Sequence, residues 1–297
     1  MHIPVLLKET ISYLDIKNGE IIFDGTLNAG GHSRSFCEPL GKDGLIIGVD
    51  QDETAIATAR ENLSDCQAKT IFVNDNFRNI GQILENLGIK DVNKIILDIG
   101  LSSDQLESSG RGFSFRKDEP LLMTFKSKPG PEDLTAMDIL NSWKEEEIAD
   151  ILKVYGEERF YRKISKAIIL ARKEKMIETT SELVEIIGSA VPAWYRKQRT
   201  HHATKTFQAL RIAANDEINA LNEVLSKGFE SLAPGGKMGV ISFHSGEDRI
   251  VKTFFKNMAK EGRGKLITKK PIVPSREEVV SNPRSRSSKL RVLEKIQ

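Results

Sequence analysis

Cysteine is scarce: Cys37 and Cys66 are the two in 297 residues. They lie far apart, outside any CxxC or Cys/His ligand spacing, which argues against a zinc site or a disulfide framework and reads as two reduced thiols. Charge of one sign is not in excess, with 44 Lys and Arg against 42 Asp and Glu and a formal net charge of +2. That balance names no partner by itself. Nowhere do about 18 uncharged apolar residues run together, which argues against a membrane-spanning helix. The opening MHIPVLLKET places Lys8 and Glu9 after a very short apolar run and does not read as a signal peptide. A GxGxxG fingerprint is also missing, which weakens a dinucleotide-dependent dehydrogenase and leaves no evident pyrophosphate cradle.

What is present is an ordinary globular composition, 39% apolar and 29% charged. At roughly 100–200 residues per domain, the length suits one large domain or two intermediate ones. Short β-rich runs recur at IIF (Ile21 to Phe23), LIIGV (Leu45 to Val49), TIFV (Thr70 to Val73) and IIL (Ile95 to Leu97), separated by segments with helical spacing. A repeat of about 25 residues suits βα units. The runs are nearly all apolar rather than alternating, so they predict strands covered by helices on both faces of a parallel sheet.

From Glu107 to Thr200 the strand rhythm stops. Ile148, Ile151, Leu152 and Tyr155 form one apolar stripe, and Phe160, Ile164, Ala167, Ile168 and Ala171 another, with Gly156 between them. This predicts a mostly helical insertion, residues 107–200, in a discontinuous α/β domain made of residues 1–106 and 201–297. Phe207, Leu210, Ala214, Ile218, Leu221, Leu225 and Leu232 then mark one long amphipathic helix, stopped by Pro234-Gly235-Gly236 and followed by KMGVISF as a strand. A helix through Ile250, Val251, Phe254 and Phe255 comes next, with KLITKK and KLRVLEKI as a closing β-pair and NPRSRSSK as a basic loop. Over the last 35 residues ten cations, among them Arg263, Arg284, Arg286, Arg291 and Lys295, face only Glu277, Glu278 and Glu294, a candidate polyanion surface.

In an open parallel sheet, ligands bind beyond the carboxyl ends of the strands. After the first run comes FDGTLNAGGHS, where Gly25, Gly30 and Gly31 allow close backbone approach just before a helix. After the second comes Asp50, about 20 residues on, where a carboxylate can accept from ribose hydroxyls. The third ends in NDNF and the fourth in DIGLSS, adding Asp75, Phe77 and Asp98 to the same rim. Each has a plainer reading. The glycines can form a simple turn, Asp50 or Asp52 can cap a helix, Phe77 can belong to the core, and His32 can be a first-turn residue. Their convergence at one sheet edge favours a nucleoside cofactor without phosphates, such as S-adenosylmethionine.

Taken in order, HIPVLL, DGTLNAGGHS, GVDQD, LDIGLSS with Gln105, RGFSFRKD, YGEERF, TFQALRIAANDE, LAPGGK, VISFHS with EDRIVK, and NPRSRSSKLR resemble the bacterial ribosomal RNA small-subunit methyltransferase H family, also called MraW. The matches run from His2 to Arg291. The resemblance implies a Rossmann-like class I methyltransferase fold and S-adenosylmethionine-dependent methylation of the exocyclic N4 amine of a cytidine in the decoding centre of 16S rRNA. It also implies a cytoplasmic enzyme whose partner is 16S rRNA or the small ribosomal subunit, with no membrane partner; the helical insertion, residues 107–200, is then the expected RNA-recognition part, and monomer and homodimer are left open. Carried over by motif, the cofactor contacts are Gly30, Gly31, His32, Asp50, Phe77, Asp98 and Gln105, the last from the resemblance alone. The chain departs from the family at Asn28-Ala29, at Leu122, Thr124 and Lys126, at His202 and at Gly246.

Cytosine's amine is a poor nucleophile because its lone pair is delocalised, so acceptors for its hydrogens are expected around Ile99 to Ser103. Ser102 and Ser103 are the catalytic candidates, with helix capping the equal alternative. Phe113, Phe115 and Phe243 are candidates to hold an extruded base, against ordinary core roles. Arg111, Arg116 and Lys117 are candidates for phosphate contacts, against a solvated loop. His244 with Glu247 and Asp248 reads as a helix cap or polar cluster rather than a metal site, and His201 and His202 as structural, with catalysis the alternative. A nucleotide-dependent oxidoreductase on the same fold and a noncatalytic RNA-binding module are the rival functions.

Overall fold

The computed structural model describes residues 4–296; His2 and Ile3 of the N-terminal motif lie outside it, as does the Ser103 side chain. The chain runs α1 (Leu7–Leu14), β1 (Ile21–Asp24), α2 (Gly31–Leu40), β2 (Leu45–Asp50), α3 (Glu53–Asn62), β3 (Lys69–Asn74), α4 (Ile80–Asn86) and β4 (Val92–Asp98). A helical stretch follows: α5 (Ser103–Glu107), α6 (Ala136–Ser142), α7 (Glu145–Val154), α8 (Tyr161–Glu174), α9 (Thr180–Ala190), α10 (Ala193–Arg196) and α11 (Thr204–Ala214). The last part is α12 (Glu217–Glu230), β5 (Leu232–Ser242), α13 (Ser245–Lys260), β6 (Gly264–Leu266), α14 (Arg276–Ser281) and β7 (Lys289–Lys295). These elements form two compact units, one of residues 1–100 and 218–297, the other Leu101–Glu217.

In the first unit a seven-stranded sheet has the order β3-β2-β1-β4-β5-β7-β6. β1 to β5 are parallel, while β7 runs antiparallel to both β5 and β6, the closing pair the sequence predicts. The runs in β1, β2 and β4 are covered on both faces as expected, because successive side chains of a strand point to opposite sides, whereas TIFV in the edge strand β3 is only half-buried. Phe23, Ile47, Ile95, Leu97 and Val240 pack on one face against Ile80, Leu84, Val224 and Phe255 of α4, α12 and α13. Ile22, Ile46, Ile96 and Ile241 pack on the other with Leu14, Phe36, Leu40 and Ala59 of α1, α2 and α3. Each large side chain so buried contributes about 1.5–3 kcal/mol. This is the Rossmann-like α/β arrangement.

The helical unit has its own core, in which Ile148 and Leu152 of α7, Ile164 and Ile168 of α8, Leu183 and Ile187 of α9, and Leu210 of α11 are buried together. Capping boxes start α6 at Thr135/Asp138 and α9 at Thr179/Glu182, satisfying backbone N–H groups that a helix start leaves open. The single long helix expected from Phe207 onward is two helices. Asn215 Nδ2 donates to the Met123 carbonyl at 2.7 Å and its Oδ1 accepts from the Phe125 N–H at 2.8 Å, and Asp216 turns the chain with φ +49°. Its first half, α11, packs on α6 and α7 within this unit, so the unit is longer than the stretch in which the strand rhythm stops.

Smaller differences concern the C-terminal part and the cysteines. NPRSRSSK is a 3-10 turn at Pro283–Ser287 rather than a loop, and KLITKK is a strand only to Leu266. Cys37 and Cys66 are joined in a disulfide, which corrects their reading as separate reduced thiols. Cys37 lies in α2 and Cys66 in the loop between α3 and β3, and packing on one sheet face brings their Cα atoms to 5.4 Å although 29 positions separate them in sequence. Proximity of that kind comes from βα stacking and leaves no mark in cysteine spacing. No helix among the described residues is long and apolar enough to cross a membrane.

Candidate cofactor site

The chain leaves β1 toward β2 and β3 on one side and returns through β4 to β5 on the other, so the carboxyl ends of β1 and β4 flank the switch point where such sheets bind ligands. Three strands end there in a carboxylate: Asp24, Asp50 and Asp98. The glycine loop between β1 and α2 is stitched to these ends. Asp24 accepts from the Thr26 N–H at 3.2 Å and from the Ser33 hydroxyl at 2.6 Å, while Thr26 Oγ1 accepts from the Asp98 N–H at 2.6 Å. Gly30 starts α2 at φ +77°, a left-handed conformation that glycine adopts without steric penalty, and offers no side chain to cap the first-turn N–H groups. Asn28 also sits in the left-handed region at φ +49°, which Asn tolerates.

Asp50 accepts from the Asn28 N–H at 2.8 Å and the Asp52 N–H at 2.9 Å. A carboxylate has about four lone-pair sites, so acceptor capacity remains for a ligand hydroxyl. The cap of α3 is instead Asp52, which accepts from Thr54 N–H at 3.0 Å. Capping therefore leaves Asp50 out. Phe77 is half-buried against the sheet core and touches the glycine loop, since a Cβ on Gly25 would lie 3.1 Å from its own Cβ. Asp75 accepts at 2.7 Å from both the Asn76 N–H and Asn79 Nδ2, holding the turn that presents that ring. His32, in the first turn of α2, is buried with Nε2 3.1 Å from the Val5 carbonyl and Nδ1 3.7 Å from Asp98 Oδ2.

Burial dominates the electrostatics of this rim. Desolvation, with the Asp24 charge nearby, pushes Asp98 up to about 7. Desolvation pushes Asp24 up to about 6 against the hydrogen bonds from Ser33 and Thr26, and Asp50 to about 6 against its backbone donors. Asp98 Oδ1 is buried without a hydrogen-bond partner. Asp24 was not among the residues singled out in the sequence, although it ends β1 as Asp50 and Asp98 end β2 and β4; that shared position is the signal that could have found it.

The remaining candidates sit elsewhere. Ser102 caps α5, its hydroxyl accepting from the Gln105 N–H at 3.1 Å while Gln105 Oε1 accepts from the Ser102 N–H at 2.9 Å; both belong to the helical unit. Phe113 is core there, and Phe115 stacks on His201 at 4.3 Å between centroids. Arg111 is 7% exposed and donates to the carbonyls of Thr124 and Phe125, so it braces a loop instead of facing solvent phosphates. Lys117 reaches the Glu107 carbonyl, Arg116 is exposed, and Lys126 pairs with Asp133. His244 and Glu247 form the capping box of α13, and Asp248 pairs with Arg291.

A family model described as the MraW methylase family matches residues 1–296. The chain belongs to this family. It is 47% identical over 310 residues to a Clostridium botulinum protein named ribosomal RNA small subunit methyltransferase H, covering 99% of both chains. A Clostridioides difficile protein of the same name is 41% identical, again over 99% of each. Among solved structures, an rRNA methylase from Streptococcus thermophilus is similar over all of both chains, with 10% identity and a TM-score of 0.46. As an MraW methylase, this chain uses S-adenosylmethionine as its methyl donor. The rim suits that molecule: Asp50 keeps acceptor sites free, Phe77 offers an apolar face, and the unpartnered Asp98 Oδ1 awaits an N–H.

Proposed function

We propose that this MraW methylase transfers a methyl group to the exocyclic N4 amine of a cytidine in the decoding centre of 16S rRNA, in the cytoplasm, on 16S rRNA or the small ribosomal subunit. The observation that carries this reading is the full-length similarity, at 47% identity, to a protein named for small-subunit rRNA methylation. The motifs at the strand ends supply the chemistry. When bound, S-adenosylmethionine supplies a methyl carbon activated by an adjacent sulfonium.

In this reading Asp50 takes the ribose hydroxyls, Phe77 flanks the adenine, the uncapped first turn of α2 at Gly30, Gly31 and His32 faces the methionine carboxylate, and Asp98 accepts from its ammonium. Gln105 is the further cofactor contact implied by its motif. The amine hydrogens are met by oxygens of the segment Ile99 to Ser103. Ser102 and Ser103 remain the side-chain candidates, but Ser102 Oγ already accepts from Gln105, so backbone carbonyls of Ile99 and Gly100 are the stronger acceptors. These acceptors would orient the amine toward the methyl donor and take up the one proton that the amine loses on methylation. Alignment of the two reactants can supply about 7–11 kcal/mol of the barrier.

The test is mass mapping of methylated cytidines in small-subunit rRNA made with and without the protein. The expected result is one decoding-centre N4-methylcytidine that depends on the protein; an unchanged map overturns the reading. Calorimetry with S-adenosylmethionine and with NAD separates it from an oxidoreductase. Tritium transfer from the methyl donor into RNA separates it from a noncatalytic RNA-binding module.

A further inference from the structure

Trp194, in the short helix α10 of the helical unit, is 50% exposed. Half of this large ring is open to solvent while the rest packs into the fold. Its neighbours form an aromatic cluster: the Phe160 ring lies 5.8 Å from Trp194 and 4.9 Å from Tyr195, both edge-on. Cations lie over the same rings. The Arg159 guanidinium is 5.6 Å from the Trp194 centroid and 5.8 Å from that of Phe160, and Lys163 Nζ is 5.9 Å from Phe160. On the adjacent Tyr161, Arg162 lies at 5.6 Å and Lys153 at 5.8 Å.

The cluster is held from beneath. Glu158 is 2% exposed, and its two carboxylate oxygens accept from the Phe160 N–H and the Tyr195 hydroxyl, each at 2.8 Å. Burial and the Glu158 hydrogen bond raise the Tyr195 phenol well above its ordinary range, so it stays a donor. Glu158 is thus committed inward, and Glu157 is the one carboxylate of this run at the surface. Among the described residues none of Lys153, Arg159, Arg162 and Lys163 is ion-paired, and all four are exposed. Arg196, Lys197 and Arg199 follow Trp194 directly and are also exposed.

We propose that this face is a stacking platform for single-stranded RNA: an unpaired base lies on the Trp194 indole, and Arg159, Arg162 and Lys163 meet the flanking phosphates. The occupant follows from the chemistry of the surface. A π-face beside unpaired guanidinium and ammonium groups matches a molecule that alternates flat bases with anionic links, and stacking tolerates any base. An apolar protein partner would leave those cations unanswered. The inference rests on the reading of the chain as an RNA methyltransferase, yet uses a surface separate from the carboxylate rim.

Fluorescence anisotropy of the full-length protein with a labelled single-stranded RNA oligonucleotide of mixed sequence tests it, alongside a duplex of the same sequence. Trp194→Ala is expected to weaken single-strand binding about tenfold and Trp194→Phe to restore most of it. Arg159→Ala and Lys163→Ala should each lower the salt slope by about 0.7. Duplex binding should be insensitive to Trp194→Ala. Circular dichroism reports whether each variant folds, and calorimetry with S-adenosylmethionine is expected to give the wild-type affinity throughout. Single-strand affinity within twofold of wild type in all three alanine variants, with an unchanged slope, overturns the proposal. So does a wild-type dimer in sedimentation that Trp194→Ala dissociates without loss of RNA affinity, since the face then joins two copies. Failure of the wild-type protein to bind S-adenosylmethionine overturns the cofactor reading and leaves the platform untouched.

Discussion

The His32 ring points Nδ1 at Asp98 Oδ2 across 3.7 Å, with both side chains almost fully buried. On its other side Nε2 meets the Val5 carbonyl at 3.1 Å. A carbonyl oxygen only accepts, so Nε2 carries a hydrogen, and Nδ1 is the ring atom turned toward Asp98. The elevated pKa of Asp98, about 7, means that it holds its proton over much of the range below neutrality. The charges facing Asp98 are Asp24 from β1, His32 from α2 and Glu247 from α13.

A pH dependence of stability follows. An unfolded Asp titrates near about 3.9. Asp24, Asp50 and Asp98, raised to about 6, 6 and 7, bind more protons folded than unfolded between those limits, so stability falls as pH rises through the window. The carboxylates lowered by ion pairs, such as Asp133 and Glu182, are ionised in both states there and drop out. His201, lowered by burial and by His202, works in the opposite direction but is a single group. The ligand-free melting temperature is expected to drop by about 3 °C or more from pH 5.5 to 7.5, and Asp98→Asn should flatten the slope. A melting temperature that climbs across this range refutes the assignment. Binding of the S-adenosylmethionine ammonium favours ionised Asp98, so calorimetry in buffers of different ionisation enthalpy should detect proton release.

Asp50 and Asp52 are two positions apart and carry different loads. Asp52 caps α3, so Asp52→Ala should cost about 1 kcal/mol of stability and leave S-adenosylmethionine affinity within twofold. Asp50→Asn turns an N–H donor toward Asn28 and removes acceptors from the rim, so affinity should fall about tenfold or more, through the loss of charge-assisted hydrogen bonds. Denaturant melts and calorimetry on both variants decide it. The reverse pattern would make Asp50 the structural residue and Asp52 the ligand contact.

The parts of this molecule legible in the sequence are those set by local repetition. IIF, LIIGV and IIL are apolar on every residue because helices cover both sheet faces, and the acid that ends each strand announces the rim. Long-range pairings were not legible. Asn215 breaks a helix by bonding to Met123 and Phe125, 92 and 90 positions away, and Cys37 of α2 meets Cys66 in the loop after α3. Arg111 reads as a loop cation beside aromatics, yet its guanidinium is enclosed by carbonyls that only the folded chain brings round it. Trp194 and Phe160 are 34 positions apart in sequence, so no local window joins them into one face.

Gly100, in the segment after β4, faces the Phe243 ring so closely that an added Cβ would lie 2.4 Å from its Cε2. Neither chain segment has room for a methyl group there. Gly100→Ala should therefore destabilise the protein by about 1–3 kcal/mol, in the range of overpacked cores. Phe243→Ala removes the obstruction, and the double variant should lose less than the two single losses combined, an interaction of about 0.5–3 kcal/mol in a mutant cycle. Additive losses would show that the two residues do not press on one another.

The basic C-terminal run is the place where charge counting and structure diverge most. Arg291 is 7% exposed, and its guanidinium donates to both carboxylate oxygens of Asp248 at 2.7 and 3.2 Å. Burial alone would raise the Asp248 carboxyl, but Arg291 and Lys289 hold it below the ordinary range. Lys295 donates to the carbonyls of Glu230 and Leu232, and Arg263 pairs with Glu230. These cations serve the edge of the sheet, where β7 must be fixed against β5 and α13. Arg291→Ala should cost about 3 kcal/mol because it strands a partly buried carboxylate, and should leave the salt slope of RNA binding unchanged. Replacing the exposed Arg286, Lys269 or Lys270 should do the opposite, lowering the slope at little cost in stability, if this end of the chain meets RNA. A reduced slope in Arg291→Ala with an unaltered denaturation midpoint would restore the polyanion role that the sequence suggests for this residue.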